Sequence, residues 1–113
     1  MILNFLAGSM TGRELRQLLI DKWGFSYDIQ LRKVKGKIFV QVMWRYLEQA
    51  SFTLSEEDYI AHLNSVLSHL ESWGAVNQVT EFVAKTKEKP RTGKAVSIPI
   101  ALGERASEWI LDF

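Results

Sequence analysis

The segment Phe25–Leu47, FSYDIQLRKVKGKIFVQVMWRYL, decides the fold because it contains two runs in which apolar and polar residues alternate. The apolar residues fall on odd positions in the first run and on even positions in the second: Phe25, Tyr27, Ile29 and Leu31, then Ile38, Val40, Val42, Trp44 and Tyr46. A period of two is typical of a half-buried strand. Lys35 and Gly36 separate the runs, and glycine accepts the positive φ of a tight turn. The segment therefore predicts a β-hairpin.

A two-residue loop at Lys35-Gly36 sets the register of this hairpin. Val34 then pairs with Lys37, and the facing pairs are Leu31–Val40, Ile29–Val42, Tyr27–Trp44 and Phe25–Tyr46. A slip of one residue would place polar side chains opposite apolar ones. The second strand also has apolar residues on its other face, so we expect it to lie in the middle of a sheet.

Three helices are predicted around the hairpin. Thr11-Gly-Arg-Glu14 has the spacing of a capping box, and the helix it begins should end at Gly24. Thr53 or Ser55 can cap a second helix, whose apolar stripe is Tyr59, Ile60, Leu63, Val66, Leu67, Leu70 and Trp73. A third helix is predicted over about Ala75–Lys87.

Lys94–Leu102 is predicted as a third strand, and Pro99 makes it an edge strand because proline cannot donate to a β-ladder. The element order is α-β-β-α-α-β. We expect an α+β fold with a small antiparallel three-stranded sheet, order 1-2-3, and helices on one face. Residues 10–113 should form one domain, with residues 1–9 an extension that the fold does not need. A last helical turn is predicted at Ser107–Leu111.

Composition excludes several classes of function. The 113 residues carry a formal net charge of +1, which gives no overall attraction to nucleic acid or acidic lipid. The absence of cysteine excludes disulfides, thiolate catalysis and thiolate metal sites. No run approaches the ~20 apolar residues of a membrane helix. These features predict a soluble protein, and no cofactor is expected.

The two histidines are the first candidates for chemistry. His62 and His69 lie seven residues apart on the second predicted helix, roughly 10 Å along its axis, which is too far for one metal ion. With Asp58 and Ser65 they are interpreted as a solvated polar face, with a site shared with a partner as the alternative. No nucleophile or phosphate-loop motif occurs. We therefore expect no catalytic or metal residues, although an enzyme built from distant residues stays open.

Basic residues are concentrated in two segments. They are Arg32, Lys33, Lys35 and Lys37 at the hairpin tip, and Lys85, Lys87, Lys89, Arg91 and Lys94 in the loop before the third strand. One hypothesis is a nucleic-acid-binding module that contacts phosphates with the tip and with Lys85, Lys87, Lys89 and Arg91. The antiparallel topology counts against a single patch because it places the two segments at opposite ends of the sheet.

A protein partner is the leading hypothesis. If helices cover one face of the sheet, Phe39, Met43 and Arg45 lie on the other face, and an apolar patch there is typical of a protein contact. The loop residues Pro90, Arg91 and Lys94 are a second candidate contact. The alternative is that the terminal segments of the chain cover the sheet face.

Three stretches resemble domain-of-unknown-function family 3067: MTGRELRQLLIDKWG, GKIFVQVMWRYLEQASF and KTKEKPRTGKAVSIPIALGERASEWIL. VMWRYLEQ, at Val42–Gln49, and RTGKAVSIPI, at Arg91–Ile100, are the most specific parts. The resemblance implies a cytoplasmic protein of cyanobacteria, with plant and algal relatives in the plastid stroma. It implies an assembly or regulatory factor of an oxygenic phototroph and supplies no catalytic residues. We expect an unidentified protein partner and, by default, a monomer.

Overall fold

The computed structural model of the protein describes residues 10–102. It contains helix α1 (Gly12–Trp23), strands β1 (Tyr27–Val34) and β2 (Lys37–Tyr46), helices α2 (Glu56–Ser72) and α3 (Val76–Lys85), and strand β3 (Val96–Ile100). The three strands form one antiparallel sheet in the order β1-β2-β3. The predicted α+β class and the element order α-β-β-α-α-β are confirmed.

The hairpin turn forms where the sequence predicts it. Val34 pairs with Lys37, Leu31 with Val40 and Ile29 with Val42. Lys35 and Gly36 both have positive φ, 54° and 80°, which is the geometry of a type I′ turn. This turn matches the right-handed twist of the strands and fixes the register of the sheet.

The predicted pairs Tyr27–Trp44 and Phe25–Tyr46 are wrong. Tyr27 pairs with Tyr46, and Ile29 pairs with Val42. Between these two pairs β1 has one residue, Asp28, whereas β2 has three. β2 therefore contains a bulge with two extra residues. An even number of extra residues preserves the apolar alternation, so the pattern could not reveal the bulge. Phe25 lies before β1 and is 38% exposed, although its ring still stacks on Tyr46 at a centroid distance of 4.3 Å.

Helix α1 begins with the predicted capping box. The amide of Glu14 donates to Thr11 Oγ1, and the amide of Thr11 donates to Glu14 Oε1. The helix ends at Gly24, which has a left-handed conformation. Gly12 is buried against α2, where its amide donates a 2.7 Å hydrogen bond to Asn64 Oδ1. The two helices approach closely at this point because glycine has no side chain.

Helix α2 runs along the outer edge of β1. Ser55 is its N-cap and accepts from the amide of Asp58. The hydroxyl of Tyr59 donates to the backbone carbonyl of Tyr27, and His62 Nε2 lies 2.6 Å from the carbonyl oxygen of Ile29. His62 is therefore half-buried against the sheet, and its interpretation as part of a solvated face is wrong.

Helix α3 and strand β3 are shorter than predicted. Thr86 is already extended, and its hydroxyl accepts from the amide of Glu88, so the helix ends at Lys85. Arg91 and Lys94 exchange backbone hydrogen bonds across a tight turn that precedes the strand. The backbone amide of Ala101 donates to Gln78 Oε1 on α3, and the Ala101 carbonyl accepts from Gln78 Nε2. These two hydrogen bonds take the place of strand pairing, and β3 ends at Ile100.

The core lies between one face of the sheet and the three helices. The strands contribute Tyr27, Ile29, Ile38, Val40, Val42, Val96, Ile98 and Ile100, and the largest helical contribution is the predicted stripe of α2. Burial of this apolar surface is the main force that holds the layers together. The predicted arrangement, with the helices packed on one face, is confirmed.

Two predictions lie outside the described residues: the extension at residues 1–9 and the helical turn at Ser107–Leu111. Among the helices of residues 10–102, none has the length and apolar character needed to cross a membrane.

Candidate functional site

The face of the sheet opposite the helices is called the open face. Its side chains form rows across the strands, since each row joins residues that pair in register. Arg32, Phe39 and Pro99 form the central row, Gln30, Gln41 and Ser97 form the next, and Val34 pairs with Lys37 beside the turn. The amide of Gln41 donates to the hydroxyl of Ser97 across the second row. Phe39 thus lies at the centre of a face bordered by polar and basic groups.

Three apolar side chains of β2 lie outside the core. Phe39, Met43 and Trp44 are each half-buried, and none is among the core residues or the described side chains packed against the core. Met43 and Trp44 fall in the β2 bulge, next to Arg45. The structure therefore places the predicted partner contacts Phe39 and Met43 on the same strand, off the core.

The open face and its end at the turn are basic. Between Arg32 and Leu47 the chain has five cationic residues and no acidic one, and residues 95–102 are uncharged. Arg32, Lys35 and Lys37 are exposed. Within residues 10–102 none of them forms an ion pair with an acidic residue. Unpaired cations beside an apolar surface attract an anionic partner.

A cleft of about 240 Å³ opens at the turn end of the sheet, between the start of β2 and the end of β3. We call it the tip cleft. It is lined by Gly36, Lys37, Ile38, Phe39, Pro99, Ile100 and Leu102. Lys37 is the one charged residue among these seven, so the cleft suits an apolar side chain next to a carboxylate.

A second cleft, of about 290 Å³, lies beside β1 and the loop that precedes α2. This edge cleft is lined by Asp28, Gln30, Arg45, Phe52, Thr53, Leu54 and His62. Arg45 is the third predicted partner contact, and it is exposed here. Arg45 belongs to the irregular interval of β2 between Val42 and Tyr46, and it is one of the residues that line the cleft.

The histidine of the edge cleft has a structural role. A carbonyl can only accept, so His62 Nε2 carries a proton and donates to Ile29. Asp28 Oδ1 lies 3.7 Å from the same nitrogen, beyond hydrogen-bond distance, and Asp28 Oδ2 accepts from Gln30. In residues 10–102 no three side chains of the His, Cys, Asp and Glu types converge as a metal site. This geometry holds α2 on the edge of β1.

Backbone access to the sheet is restricted at β3. Pro99 has no N–H group, and the amide of Gln78 both donates to and accepts from the backbone of Ala101. At the opposite edge of the sheet, side chains of α2 form hydrogen bonds with the backbone carbonyl groups of Tyr27 and Ile29 on β1. A partner at these positions meets side chains rather than free strand edges.

The loop before β3 lies at the end of the sheet away from the turn. Val96 pairs with Val42, while Ile100 pairs with Ile38 next to the turn. The two predicted basic segments are therefore separated by the length of β3, about 17 Å at 3.3 Å per residue, plus the loop. Residues 10–102 do not bring them together as one patch. Lys85, Lys87 and Lys89 are exposed, as are Arg91 and Lys94.

Pro90, one of the predicted contact residues, is buried. The segment before it is tied to α1, because the indole N–H of Trp23 donates to the backbone carbonyl of Glu88 at 3.0 Å. The exposed part of this loop is the turn from Arg91 to Lys94. Only these two of the three predicted loop contacts are accessible.

A polar network joins α1, β1 and the segment after β2. Ser26 is buried, and both its amide and its hydroxyl donate to the carboxylate of Glu48. Arg16 donates to Ser26 Oγ and to Glu56, and it lies 3.5 Å from Glu48. Burial alone would raise the pKa of Glu48, but the hydrogen bonds from Ser26 and the Arg16 charge together lower it. The hydrogen bond to Glu56 raises the pKa of Arg16.

Sequence reasoning missed both clefts and this network. The members of the edge cleft come from β1, β2, the loop before α2 and α2 itself, and no sequence pattern links them. The tip cleft depends on the register of β2 against β3. This register could be predicted only if the exact first residue of β3 were known. A useful signal is the run from Arg32 to Leu47, which contains five cationic residues and no acidic one.

Comparison with known proteins gives a family and a close structural relative. The family described as "Domain of unknown function (DUF3067)" matches residues 13–110. The chain is similar to the Alr2454 protein from Nostoc sp. strain PCC 7120, whose solution NMR structure is 64% identical in sequence with a TM-score of 0.81. That match covers 89% of this chain and 97% of the Nostoc chain. No curated protein matches the chain. The chain thus belongs to the DUF3067 family, as the resemblance of its three stretches predicted.

Proposed function

We propose that this protein is a non-enzymatic protein-binding domain that uses its open face, an assembly or regulatory factor of an oxygenic phototroph. The observation that carries the proposal is Phe39, an aromatic residue at the centre of a sheet face opposite the helices. Half-buried aromatic residues in a polar surround are typical of the anchor positions of protein interfaces. The similarity to a Nostoc protein supports the cyanobacterial setting.

The contacts of His62 are those of a structural residue. Its Nε2–H donates to the backbone carbonyl of Ile29, and the nearest carboxylate, that of Asp28, accepts from Gln30. The open face, in contrast, offers apolar area and unpaired cations, which are recognition features.

The test is partner capture by the tagged protein from cyanobacterial lysate, compared with the double variant Phe39→Asp/Met43→Asp. We expect the variant to lose the partner and to keep the circular dichroism spectrum and about the same melting temperature. A matched control is Ala61→Asp/Ala84→Asp, which adds the same two charges at exposed helical positions. Capture that is equal for both double variants and the parent would overturn the proposal for the open face.

A nucleic-acid-binding module is the second candidate, because nine cations lie in the two basic segments. Because the two segments are far apart, we expect each to make a separate weak contact with nucleic acid instead of one strong joint contact. This function predicts binding that weakens steeply as salt rises, and that is reduced by Lys35→Glu or Arg91→Glu. Nuclease treatment during the capture experiment distinguishes the two functions. Protein partners that persist after nuclease support the first, and loss of all captured material supports the second.

A further inference from the structure

The apolar and basic features of the open face meet at one place. The tip cleft is bordered by Lys37, and Phe39 is both a wall of the cleft and the centre of the open face. Arg32 flanks Phe39 on the β1 side, and uncharged Pro99 flanks it on the β3 side. The cations thus lie along β1 and the turn, while the cleft lies toward β3.

We propose that the partner binds this surface through an acidic segment that carries one large apolar side chain. The apolar side chain occupies the tip cleft, and neighbouring carboxylates face Arg32, Lys35 and Lys37. This inference rests on the proposed protein-binding function and specifies the chemistry of the partner. The occupant is a peptide segment of another protein.

The size and lining of the tip cleft support an apolar anchor. A single water needs about 10–15 Å³ of such space, and the cleft offers about 240 Å³. Apolar residues that line it include Phe39, Pro99 and Leu102. An apolar side chain gains free energy in proportion to the area it buries there.

Charge supports acidic residues around that anchor. Arg32, Lys35 and Lys37 are exposed and make no ion pair within residues 10–102, and no acidic residue occurs from Arg32 to Leu47. Carboxylates of a partner would be steered toward these cations and would set its orientation on the face. A phosphate backbone shares the negative charge but lacks an apolar side chain for the cleft, which is why the cleft favours a peptide.

The experiment measures binding of labelled probes to the full chain by fluorescence anisotropy. The main probe is a peptide of about 12 residues that is rich in Glu and Asp and has one central Trp-Leu pair. Three comparison probes are the same peptide with Ser in place of Trp-Leu, a Lys-rich peptide that keeps Trp-Leu, and a single-stranded oligonucleotide of equal charge. We expect the main probe to bind about tenfold more tightly than each of the others.

Variants of the protein identify the surface that binds the probe. Arg32→Glu/Lys37→Glu should weaken binding of the main probe about tenfold, while Arg91→Glu/Lys94→Glu makes the same charge change at the far end of the sheet and should leave it unchanged. All four positions are exposed, so the fold is expected to tolerate both variants. Binding should weaken as salt rises from about 50 to about 300 mM.

Several results would overturn the inference. Equal binding of the oligonucleotide or of the Ser probe would show a surface for polyanions without an apolar anchor. Equal loss in both double variants would show that only net charge matters. Self-association that Arg32→Glu/Lys37→Glu abolishes would identify a second copy as the occupant. If no probe binds but Phe39→Asp/Met43→Asp still loses the natural partner, the open face docks a protein of different chemistry, and only the proposed function stands.

Discussion

The hydroxyl of Tyr59 donates a 2.8 Å hydrogen bond to the backbone carbonyl of Tyr27, and this buried contact joins helix α2 to the edge of the sheet. Tyr59 is fully buried, and its ring also packs edge-on against Phe52. His62 makes the second such contact one helical turn later, at Ile29. At the start of β1, the carbonyl groups of Tyr27 and Ile29 therefore have hydrogen-bond partners on side chains of α2.

Tyr59→Phe removes the hydroxyl and leaves the Tyr27 carbonyl buried without that donor. We expect the free energy of unfolding to fall by about 1–2 kcal/mol, since a neutral buried hydrogen bond contributes about 1 kcal/mol and an unpaired acceptor adds a desolvation cost. Urea denaturation near neutral pH measures the change. Tyr46→Phe is the matched control, because Tyr46 is only partly buried and its hydroxyl makes no hydrogen bond among the described contacts. A loss in the control equal to that in Tyr59→Phe would contradict the explanation.

Burial raises the pKa of Tyr59 strongly, although the Arg16 charge opposes the shift. The pKa in the unfolded chain is about 10, so the neutral phenol supports the fold fully below about pH 10. This contribution is lost as pH rises from there toward the higher folded value. We expect the stability of the parent protein to fall above about pH 10, and that of Tyr59→Phe to fall less steeply. Parallel alkaline slopes for the two proteins would show that Tyr59 is not responsible.

Glu48→Gln tests the polar network around Ser26. The folded pKa of Glu48 is lowered, so ionised Glu48 contributes stability above its unfolded pKa of about 4.3 that is lost as pH falls through the folded value. We expect the variant to be less stable by about 1 kcal/mol near neutral pH, a figure kept small because the side chain is 42% exposed. The difference should shrink below about pH 4 in urea titrations. A difference that is independent of pH would indicate a steric cause.

Gly12→Ala tests the close approach of α1 and α2. A Cβ at this position would lie 2.8 Å from Asn64 Oδ1 and 2.9 Å from the backbone carbonyl oxygen of Ile60. The asparagine can move, but the backbone of α2 cannot do so without shifting the helix, so we expect a loss of about 2 kcal/mol despite alanine's better helix propensity. Arg13→Ala is the control, since Arg13 is exposed on the same helical turn. Stabilisation by Gly12→Ala in thermal denaturation would show that the helices are farther apart.

Trp23→Phe tests the tie between α1 and the basic loop. The substitution removes the indole N–H that donates to Glu88 while keeping an aromatic ring next to Tyr27. We expect hydrogen exchange of the amides at residues 86–90 to become faster, with exchange in β2 changing little. Lys22→Ala serves as a comparison, because the Lys22 ammonium donates only a long 3.4 Å hydrogen bond to the carbonyl of Ala84. Unchanged exchange in the loop would mean that Trp23 does not hold it.

Much of the fold could be predicted because local signals agree with one another. The alternation on both sides of Lys35-Gly36 specifies the turn and the buried face, and the capping box at Thr11 specifies the start of α1. Pro99 correctly predicts an edge strand, because a missing N–H group has only one acceptable place in a sheet. Each of these features acts over a few residues, which is the range that a sequence pattern describes.

The parts that could not be predicted depend on contacts between distant residues. His62 appears polar on a helical wheel, yet it satisfies a carbonyl 33 residues earlier in the chain. Pro90 lies in a charged loop, yet it is buried, and Glu88 two positions before it accepts a hydrogen bond from distant Trp23. The tip cleft depends on which residue of β3 pairs with Phe39. These facts are set by packing and register, which the sequence does not display locally.

The two-residue bulge in β2 has a consequence for how this hairpin can change in length. Because every second side chain of β2 faces the core, adding or removing residues in pairs keeps Tyr46 on the buried face, whereas a single insertion would turn Tyr46 and the side chains that follow it outward. Relatives with a different number of residues between Val42 and Tyr46 should therefore differ by an even number. The bulge is a place where the domain can re-aim Arg45 and reshape the edge cleft in steps of two residues, without disturbing the core beneath it.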